Sequence, residues 1–399
     1  MFDRIITHKL RFVKRFFIPF DFLSGILYNF IGLIYFNEKC GETMYKVGIC
    51  GRFGYNSGSV NGQTDKTVAV YNAVAKAIGK ENIALIDSYG WQKNPLKMIG
   101  NCRKLLSECE NVIVMPARKG IKVFPALFNM FNRSYGRKLH YVVIGGWLND
   151  ELKASDSLKK QIKKLDCVYV ELEQMKKDLQ ETGLDNVIYM PNFRSKTSID
   201  EGELVYNISE PYRVCTFSRI LREKGIEEAV DAVRKVNSHF GRTVYELDIF
   251  GMVEPEYKER FDEIQKSFEP YITYKGIIDN TNCSDELKNY FALLFPTFYK
   301  GEGFAGTIID AFSAGVPVIA TDWHYNASII THLVNGVIYD TQKPELLTKI
   351  LVEAAKSPDI LNALKLNCLK AVAPYEADEV IKILLNELGV VPEREAETV

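Results

Sequence analysis

Short apolar runs alternate with segments of helical periodicity from residue 45 onward. The first series of runs reads YKVGIC, IALID, NVIVM, HYVVIGG, CVYVE and VIYM. One face of the helix predicted between the first two runs carries Thr67, Tyr71, Val74 and Ile78. Such alternation is typical of a parallel sheet covered by helices on both faces. The pattern predicts a first doubly wound, Rossmann-like α/β domain over residues 44–205.

A polar stretch, SKTSIDEGELVYNISEP, interrupts this rhythm and predicts a linker. A second series then follows, with the apolar runs RVCTFS, YELDIFG, YITYKG, ALLFP, PVIATD and VIYD. It predicts a second Rossmann-like domain over residues 206–372. Open parallel sheets bind ligands outside the carboxyl ends of their strands, so we expect the chemistry in the loops that follow strands.

Residues 1–43 differ from the rest of the chain. MFDRIITHKLRFVKR carries five Lys or Arg and one acid, and FFIPFDFLSGILYNFIGLIYF has 15 large apolar residues among 21. The apolar positions fall at helical spacing, while Pro19, Asp21 and Asn29 argue against a membrane span. We interpret the segment as an amphipathic helix that lies in a membrane interface. A helix docked on the protein's own body, or a true span or signal peptide, are the alternatives.

Composition and charge narrow the class of protein. The 399 residues suit two domains, and 47% hydrophobic with 25% charged residues is close to ordinary folded proteins. A net charge of -1 gives no global reason to expect nucleic acid as a partner. The eight cysteines contain no C-x-x-C pair, and several lie in apolar runs. We therefore expect buried, reduced thiols in a cytoplasmic protein rather than a disulfide framework.

A glycine-rich loop, GRFGYNSGSVNGQT, follows the first strand and begins with Gly51 and Gly54. Glycine allows backbone N–H groups to approach an anion or a sugar, and a helix N-terminus behind the loop favours negative charge. The loop matches neither the Walker A nor the G-x-G-x-x-G pattern. A binding loop and a flexible connection are both open from this signal alone.

Two cations follow the first strand of the second domain, in FSRILREKGIEEA. Arg219 and Lys224 would lie at the carboxyl end of that strand, where they could bind a diphosphate, Arg219 as a fork and Lys224 as a point charge. A solvated charged turn is the alternative interpretation.

The segment KGEGFAGTIIDAFSAGVPVIATD predicts a loop, a helix and the next strand. Gly303 and Gly306 free the loop backbone for contact with phosphate or sugar at the start of the helix. Glu302 in the loop and Asp310 on the helix can accept hydrogen bonds from hydroxyl groups, which suits a sugar or a ribose.

Glu302, seven intervening residues and Asp310, continuing into AFSAGVPVIATD, resemble the E-x7-E signature of retaining GT-B glycosyltransferases, in particular family 4. SRILREKG resembles the Arg and Lys pair of the same family, and the order and separation of the two motifs match. The resemblance covers roughly residues 44–388 in architecture and is specific in the second domain. It implies a GT-B fold, with two Rossmann-like domains that face each other across a cleft.

The resemblance also implies roles for the motif residues. Arg219 and Lys224 would bind the donor diphosphate, and Glu302 would hydrogen-bond the donor sugar. The backbone of Gly303, Phe304, Ala305, Gly306 and Thr307 would lie beside that sugar. Asp310 would bind the ribose, and Ile277, in the loop KGIIDN, the base. Residues 373–390 resemble the family's last helix, which crosses back to the first domain.

Two departures from the family pattern stand out. Asp310 replaces the second glutamate and is one methylene shorter. Many family members carry a histidine in the first domain near the reacting sugar, whereas that domain here offers only His140. His140 lies at the start of its strand, away from the cleft, so we expect a core or edge histidine. Gly145, Gly146 and Trp147, at the other end of that strand, are better placed to face an acceptor.

These observations predict a glycosyltransferase that moves a hexose or related sugar from a UDP- or GDP-sugar to an acceptor hydroxyl, with retention implied by the resemblance. No D-x-D triplet and no His or Cys cluster at ligand spacing occurs, so neither a metal nor a cofactor is expected. A saccharide or lipid-linked saccharide of bacterial surface polysaccharide synthesis, presented at the inner face of the cell membrane, is the expected acceptor. A non-catalytic GT-B-like partner subunit and a sugar-nucleotide epimerase are the alternative functions.

Overall fold

The computed structural model describes residues 44–54, 62–116, 118–194, 198–278 and 283–390. The segment predicted to bind a membrane, residues 1–43, lies outside these ranges. Within them the chain forms two parallel sheets flanked by helices, as the hydrophobic pattern predicts.

The first sheet contains six parallel strands in the described residues. These are β1 (Tyr45–Gly51), β2 (Ile83–Asp87), β3 (Cys109–Met115), β4 (Lys138–Val142), β5 (Cys167–Val170) and β6 (Val187–Tyr189). Their order across the sheet is β2-β1-β3-β4-β5-β6, so the strand order reverses between β1 and β3. The helices are α1 (Gly62–Ile78), α2 (Pro95–Glu108), α3 (Phe124–Asn132), α4 (Leu148–Lys153), α5 (Asp156–Ile162) and α6 (Glu173–Glu181).

The second sheet also contains six parallel strands in the described residues. They are β7 (Tyr212–Phe217), β8 (Tyr245–Phe250), β9 (Ile272–Gly276), β10 (Ala292–Phe295), β11 (Val318–Thr321) and β12 (Gly336–Tyr339). Their order is β12-β11-β10-β7-β8-β9, the arrangement of a dinucleotide-binding fold with its switch point between β7 and β10. Ligands of such sheets bind at the switch point, outside the carboxyl ends of the strands.

The helices of the second half are α7 (Ile226–Phe240), α8 (Lys258–Gln265), α9 (Cys283–Leu287), α10 (Gly306–Ser313), α11 (Asn326–Ile329), α12 (Glu345–Lys356), α13 (Asp359–Asn362), α14 (Lys365–Lys370) and α15 (Ala377–Leu388). Helix α7 shows why they form: Ile226, Ala229, Val230, Val233 and Val236 bury one stripe against the sheet.

Helix α15 packs on the first sheet although it follows the second in sequence. Val380, Ile381, Leu384, Leu385 and Leu388 share one core cluster with Val47 and Ile49 of β1. Asn111 at the base of β3 donates a hydrogen bond to the carbonyl of Leu388 at 3.2 Å. The chain therefore returns to its first half at the C-terminal helix.

The cysteines of the described ranges are all free and buried, which confirms the expectation of buried, reduced thiols. They are Cys50, Cys102, Cys109, Cys167, Cys215, Cys283 and Cys368. Cys40 lies outside the described residues.

Candidate active site

The switch point of the second sheet brings Lys224 and Glu302 together. Strands β7 and β10 are hydrogen-bonded neighbours, so the loops that follow them meet at one edge. Lys224 Nζ lies 2.6 Å from Glu302 Oε2, and each side chain is only 8% exposed. The hydroxyl of Thr297 donates a 3.0 Å hydrogen bond to the same carboxylate oxygen. The buried ammonium of Lys224 and the buried carboxylate of Glu302 thus form one neutral pair at the start of the loop that leads into α10.

Local geometry explains the position of Lys224. It ends a single 3₁₀ turn, Arg222–Lys224, and Gly225 follows with a φ of +78°. A Cβ on Gly225 would collide with the carbonyl oxygen of Pro296, so only glycine allows the turn to lie on the end of β10. The N–H of Phe298 donates to the carbonyl of Glu223 at 2.8 Å and holds the two loops together.

Arg219 reaches the same region but with a different partner. Its guanidinium forms an ion pair with Glu254 at 2.6 Å, and its side chain remains 32% exposed. Arg219 Cζ and Lys224 Nζ lie 5.6 Å and 5.3 Å from the ring centroid of Tyr299. The two residues predicted to bind the diphosphate therefore both lie close to the ring of Tyr299. Sequence reasoning missed Tyr299 and Glu254, since neither belongs to a motif with a characteristic spacing.

The loop from Gly303 to Thr307 leads into helix α10. Ala305, at the N-cap, has no side chain that could cap the helix, and the N–H of Ile308 donates to the carbonyl of Ala305 at 3.0 Å. Among the described residues, the buried hydroxyl of Thr307 has no hydrogen-bond partner. Phe304 is buried, and its ring contacts Tyr375 edge to face at 4.9 Å. The segment therefore combines a buried hydrophobic anchor, Phe304, with one hydroxyl, that of Thr307, that has no partner among the described residues.

Asp310 faces a cation that the sequence did not indicate. Arg194 Nε and Nη2 donate to the two carboxylate oxygens of Asp310 at 3.0 Å and 3.2 Å, and the Asp310 side chain is 5% exposed. A Cβ on Gly306 would overlap the Arg194 guanidinium, so the glycine makes room for this pair. A ribose hydroxyl would have to share Asp310 with Arg194.

A buried polar cluster of the first domain touches the same loop. Lys66 Nζ on α1 lies 3.4 Å from Glu171 Oε1 after β5 and 3.1 Å from Asn192 Oδ1 after β6. The N–H of Phe304 donates to the Glu171 carboxylate, and Asn192 Nδ2 donates to the carbonyl of Phe304 at 3.1 Å. Burial lowers the pKa of Lys66 and raises that of Glu171, while their mutual attraction opposes both shifts.

The predicted acceptor-side glycines lie against Glu302. The N–H of Gly146 donates to the carbonyl of Gly301 at 3.3 Å, and a Cβ on Gly303 would lie 2.8 Å from the carbonyl carbon of Gly145. This backbone contact requires small residues on both sides. Trp147, by contrast, does not face the site, because its side chain is 8% exposed and packs in the hydrophobic core.

His140 is a core residue, as expected from its place at the start of a strand. Its side chain is fully buried, and Nδ1 lies 2.9 Å from the hydroxyl of Tyr169. Burial lowers the pKa of His140 to about 4. His140 therefore lies in the core of the first domain and not at the cleft.

Three further residues that were predicted to contact the ligand, Gly51, Gly54 and Ile277, lie at or after the carboxyl ends of other strands. Gly51 ends β1, and its carbonyl accepts the N–H of Ser88 at 2.8 Å, a contact within the first sheet. Gly54 follows with a φ of +77°. Ile277 follows β9 with a side chain 63% exposed, so an apolar surface is available at that end of the second sheet.

The described ranges contain no group of three or more His, Cys, Asp or Glu side chains arranged to hold a metal ion. Within those same ranges, no helix has the length and apolar character needed to cross a membrane.

Comparison with known proteins finds a family match within the second half of the chain. Residues 205–368, which include Arg219, Lys224, Glu302 and Asp310, match the model of glycosyl transferases group 1. The match to the group 1 domain therefore includes the site at the switch point between β7 and β10.

Curated relatives match part of this chain over part of their own length. The poly(glycerol-phosphate) alpha-glucosyltransferase of Bacillus subtilis is 29% identical over 37% of this chain and 21% of its own length. The GtfA subunit of a UDP-N-acetylglucosamine–peptide N-acetylglucosaminyltransferase of Streptococcus agalactiae is 26% identical over 44% of this chain and 32% of its own. The chain thus spans between about a fifth and a third of the length of these relatives.

The likeness in fold extends beyond the group 1 domain. Anabaena HepE, solved in complex with UDP and glucose, superposes with a TM-score of 0.66 at 12% identity. The match covers 86% of this chain and 99% of that chain. This confirms the predicted GT-B fold, with two Rossmann-like sheets.

Proposed function

We propose that this chain is a glycosyltransferase that moves a sugar from a UDP- or GDP-sugar to an acceptor hydroxyl. The observation that carries the proposal is the buried Lys224–Glu302 pair at the switch point of a glycosyltransferase group 1 domain. A neutral, pre-positioned pair of this kind offers an acceptor for sugar hydroxyls and a cation for phosphate in one place.

In the proposed reaction, the acceptor oxygen forms a bond to the anomeric carbon of the donor. The bond from that carbon to the diphosphate breaks, the nucleoside diphosphate leaves with the electron pair, and the proton of the acceptor hydroxyl passes to the leaving diphosphate. Arg219 and Lys224 stabilise the negative charge that grows on the diphosphate, which is the electrostatic role of preorganised cations. Glu302 orients the donor sugar by accepting hydrogen bonds from the hydroxyl groups of that sugar. In this proposal the hydroxyl of Thr307, at the start of α10, donates to a phosphate oxygen.

The finer assignments come from the resemblance and from the relatives. We propose retention of configuration, ribose contact at Asp310, base contact at Ile277, and charge stabilisation by Arg219 and Lys224 in place of a metal. A saccharide or lipid-linked saccharide of bacterial surface polymers is the proposed acceptor, at the inner face of the cell membrane with residues 1–43 on its surface. One of the relatives is a poly(glycerol-phosphate) glucosyltransferase, which supports a polymer as the acceptor.

Nucleotide release tests this proposal. Purified full-length protein is incubated with UDP- and GDP-sugars, with and without membrane lipid extract, and the free nucleoside diphosphate is measured. Lys224→Met and Glu302→Gln should each lower kcat by about 10²- to 10³-fold, the effect of losing one transition-state contact. Arg222→Ala is the matched control, because Arg222 lies in the same turn but is 45% exposed and pairs with Glu228. Circular dichroism verifies that each variant is folded.

Two other outcomes would reject the proposal. Absence of release by the wild-type chain with every donor and acceptor, with activity appearing only when a second subunit is added, would identify a partner subunit. Conversion of one sugar nucleotide into its epimer without release would identify an epimerase.

A further inference from the structure

Three consecutive aromatic residues follow β11 and have no role in the proposed donor site. They are Trp323, His324 and Tyr325, here named the aromatic loop. Strand β11 is the hydrogen-bonded neighbour of β10, and the strands are parallel. The aromatic loop therefore lies at the same edge of the sheet as Glu302, one strand further along.

The aromatic loop is attached directly to the backbone of the donor site. Trp323 Nε1 donates a 2.8 Å hydrogen bond to the carbonyl of Tyr299. The same carbonyl accepts the N–H of Glu302 at 3.0 Å. One carbonyl thus holds both the indole and the proposed sugar-binding glutamate, and the position of Trp323 is coupled to that of Glu302.

The other end of the aromatic loop touches the first domain. Tyr325 donates its hydroxyl hydrogen to Asp178 Oδ2 on α6 at 3.3 Å. A Cβ on Gly146 would lie 3.2 Å from the Tyr325 ring and would overlap the carbonyl oxygen of Glu302. The aromatic loop therefore lines the cleft where the two domains approach each other beside Glu302.

His324 is the exposed member of this loop. Its φ is +49°, a left-handed conformation that glycine adopts at lower free energy. The fold therefore does not require an imidazole here. The side chain is exposed, with ring centroids 4.8 Å from Trp323 and 6.0 Å from Tyr325. The result is a hydrogen-bonding group flanked by two aromatic rings at the edge of the cleft.

The order of strands indicates what this loop would meet. In the proposed function the base lies after β9, the diphosphate after β7 and the sugar after β10. The sugar would lie at the loop after β10, and β11 is the next strand in the row, on the side away from β9. A ligand at the aromatic loop would thus lie next to the donor sugar and on the side of β10 away from the base. That is where an acceptor must approach the anomeric carbon.

We propose that Trp323, His324 and Tyr325 form the binding site for the sugar ring of the acceptor that lies next to the donor sugar. The location of the acceptor rests on the proposed function, whereas saccharide binding by the loop does not. Aromatic faces pack against the C–H faces of a sugar ring, and the imidazole can donate or accept a hydrogen bond with a ring hydroxyl. Binding sites of this kind combine aromatic surface with a few polar groups.

His324→Gly is the decisive variant, because glycine fits the backbone and removes only the side chain. Saturation-transfer NMR and calorimetry would measure binding of methyl glycosides and short oligosaccharides to the full-length protein without donor. At least one saccharide should bind the wild type, and His324→Gly should weaken it about tenfold, as expected for one lost hydrogen bond and ring contact. His239→Ala, which removes an exposed histidine on α7, is the matched control and should bind as the wild type does.

A kinetic arm separates this proposal from the proposed function. With an active donor, His324→Gly should raise the acceptor KM about tenfold and leave the donor KM within about twofold. Saccharide binding that is lost in His324→Gly, in a chain that releases no nucleotide, would support the saccharide site and reject the transferase. No binding by the wild type, equal binding by His324→Gly, or a raised donor KM would each overturn the proposal.

Discussion

At the scale of single residues, burial decides the chemistry of the ionisable groups. His140 belongs to a residue type that usually titrates near neutrality, yet its place inside β4 keeps it neutral. Its Nε2 has no hydrogen-bond partner among the described residues, so a second proton would bring a charge into an apolar environment. Lys224 and Glu302 are also buried, but their opposite charges form an ion pair. Burial thus keeps His140 neutral, whereas it makes Lys224 and Glu302 depend on each other.

His140 predicts a pH dependence of stability. Its pKa is about 4 in the folded protein and about 6.5 in the unfolded chain, so the unfolded chain binds the proton more tightly. The free energy of unfolding should therefore fall as pH decreases from 6.5 to 4, by about 3 kcal/mol from this residue. His140→Gln should remove that decrease. Urea unfolding of both proteins at several pH values measures the difference, in which the titration of the carboxylates cancels.

Parallel curves for the wild type and His140→Gln would contradict this account of His140.

At the scale of elements, one glycine in a turn determines where the start of α7 lies against the end of β10. Gly225 is both the end of the Lys224 turn and the N-cap of α7, and its positive φ starts the helix against Pro296. Gly241 caps the other end of α7 with a φ of +63° and has no neighbouring atom where a Cβ would lie. The two glycines share a backbone conformation and differ in their surroundings.

Alanine at these two glycines should separate backbone strain from steric contact. Gly241→Ala should lower the free energy of unfolding by about 1 kcal/mol, the cost of a left-handed alanine, and leave activity unchanged. Gly225→Ala should cost several kcal/mol, because it adds a clash with Pro296, and should lower nucleotide release by displacing Lys224. Urea unfolding and the release assay measure both. Equal losses of stability would show that the contact with Pro296 is unimportant.

At the scale of the whole molecule, buried polar groups join the two domains behind the proposed donor site. Glu171 and Asn192 from the first domain bind the backbone of Phe304 in the second, and Lys66 binds both of these side chains. Arg194, which follows β6, binds Asp310 on α10. The donor loop is therefore positioned from both sides of the cleft. Because these charges are buried, each needs its partner.

The Lys66–Glu171 pair should show strong coupling. Lys66→Met or Glu171→Leu alone leaves one buried charge unpaired and should destabilise the protein by about 3–5 kcal/mol. The double variant should recover most of that loss, since it removes both charges. Thermal and urea unfolding of the four proteins gives the coupling free energy. Additive losses would indicate that the two charges do not depend on each other.

The sequence alone determined the architecture and the ends of the strands where chemistry lies. Hydrophobic periodicity is a local property, so YKVGIC, RVCTFS or ALLFP indicate buried strands without knowledge of their neighbours. The spacing of Glu302 and Asp310 likewise placed one carboxylate before α10 and the other on it. Glycines at turns were readable for the same reason, since their conformational freedom is needed within a few residues.

Only the tertiary structure decided which charged and polar side chains pair. Lys224 and Glu302 are 78 residues apart, Arg194 and Asp310 116, and Lys66 and Asn192 126. A polar partner leaves no periodic signal in the sequence, because any carboxylate brought within reach can accept the hydrogen bond. The sheet order brings these side chains to one edge, and the removal of water there makes each pairing obligatory. The motif residues of the site could therefore be identified from local sequence, whereas the fold determined which side chains pair with them.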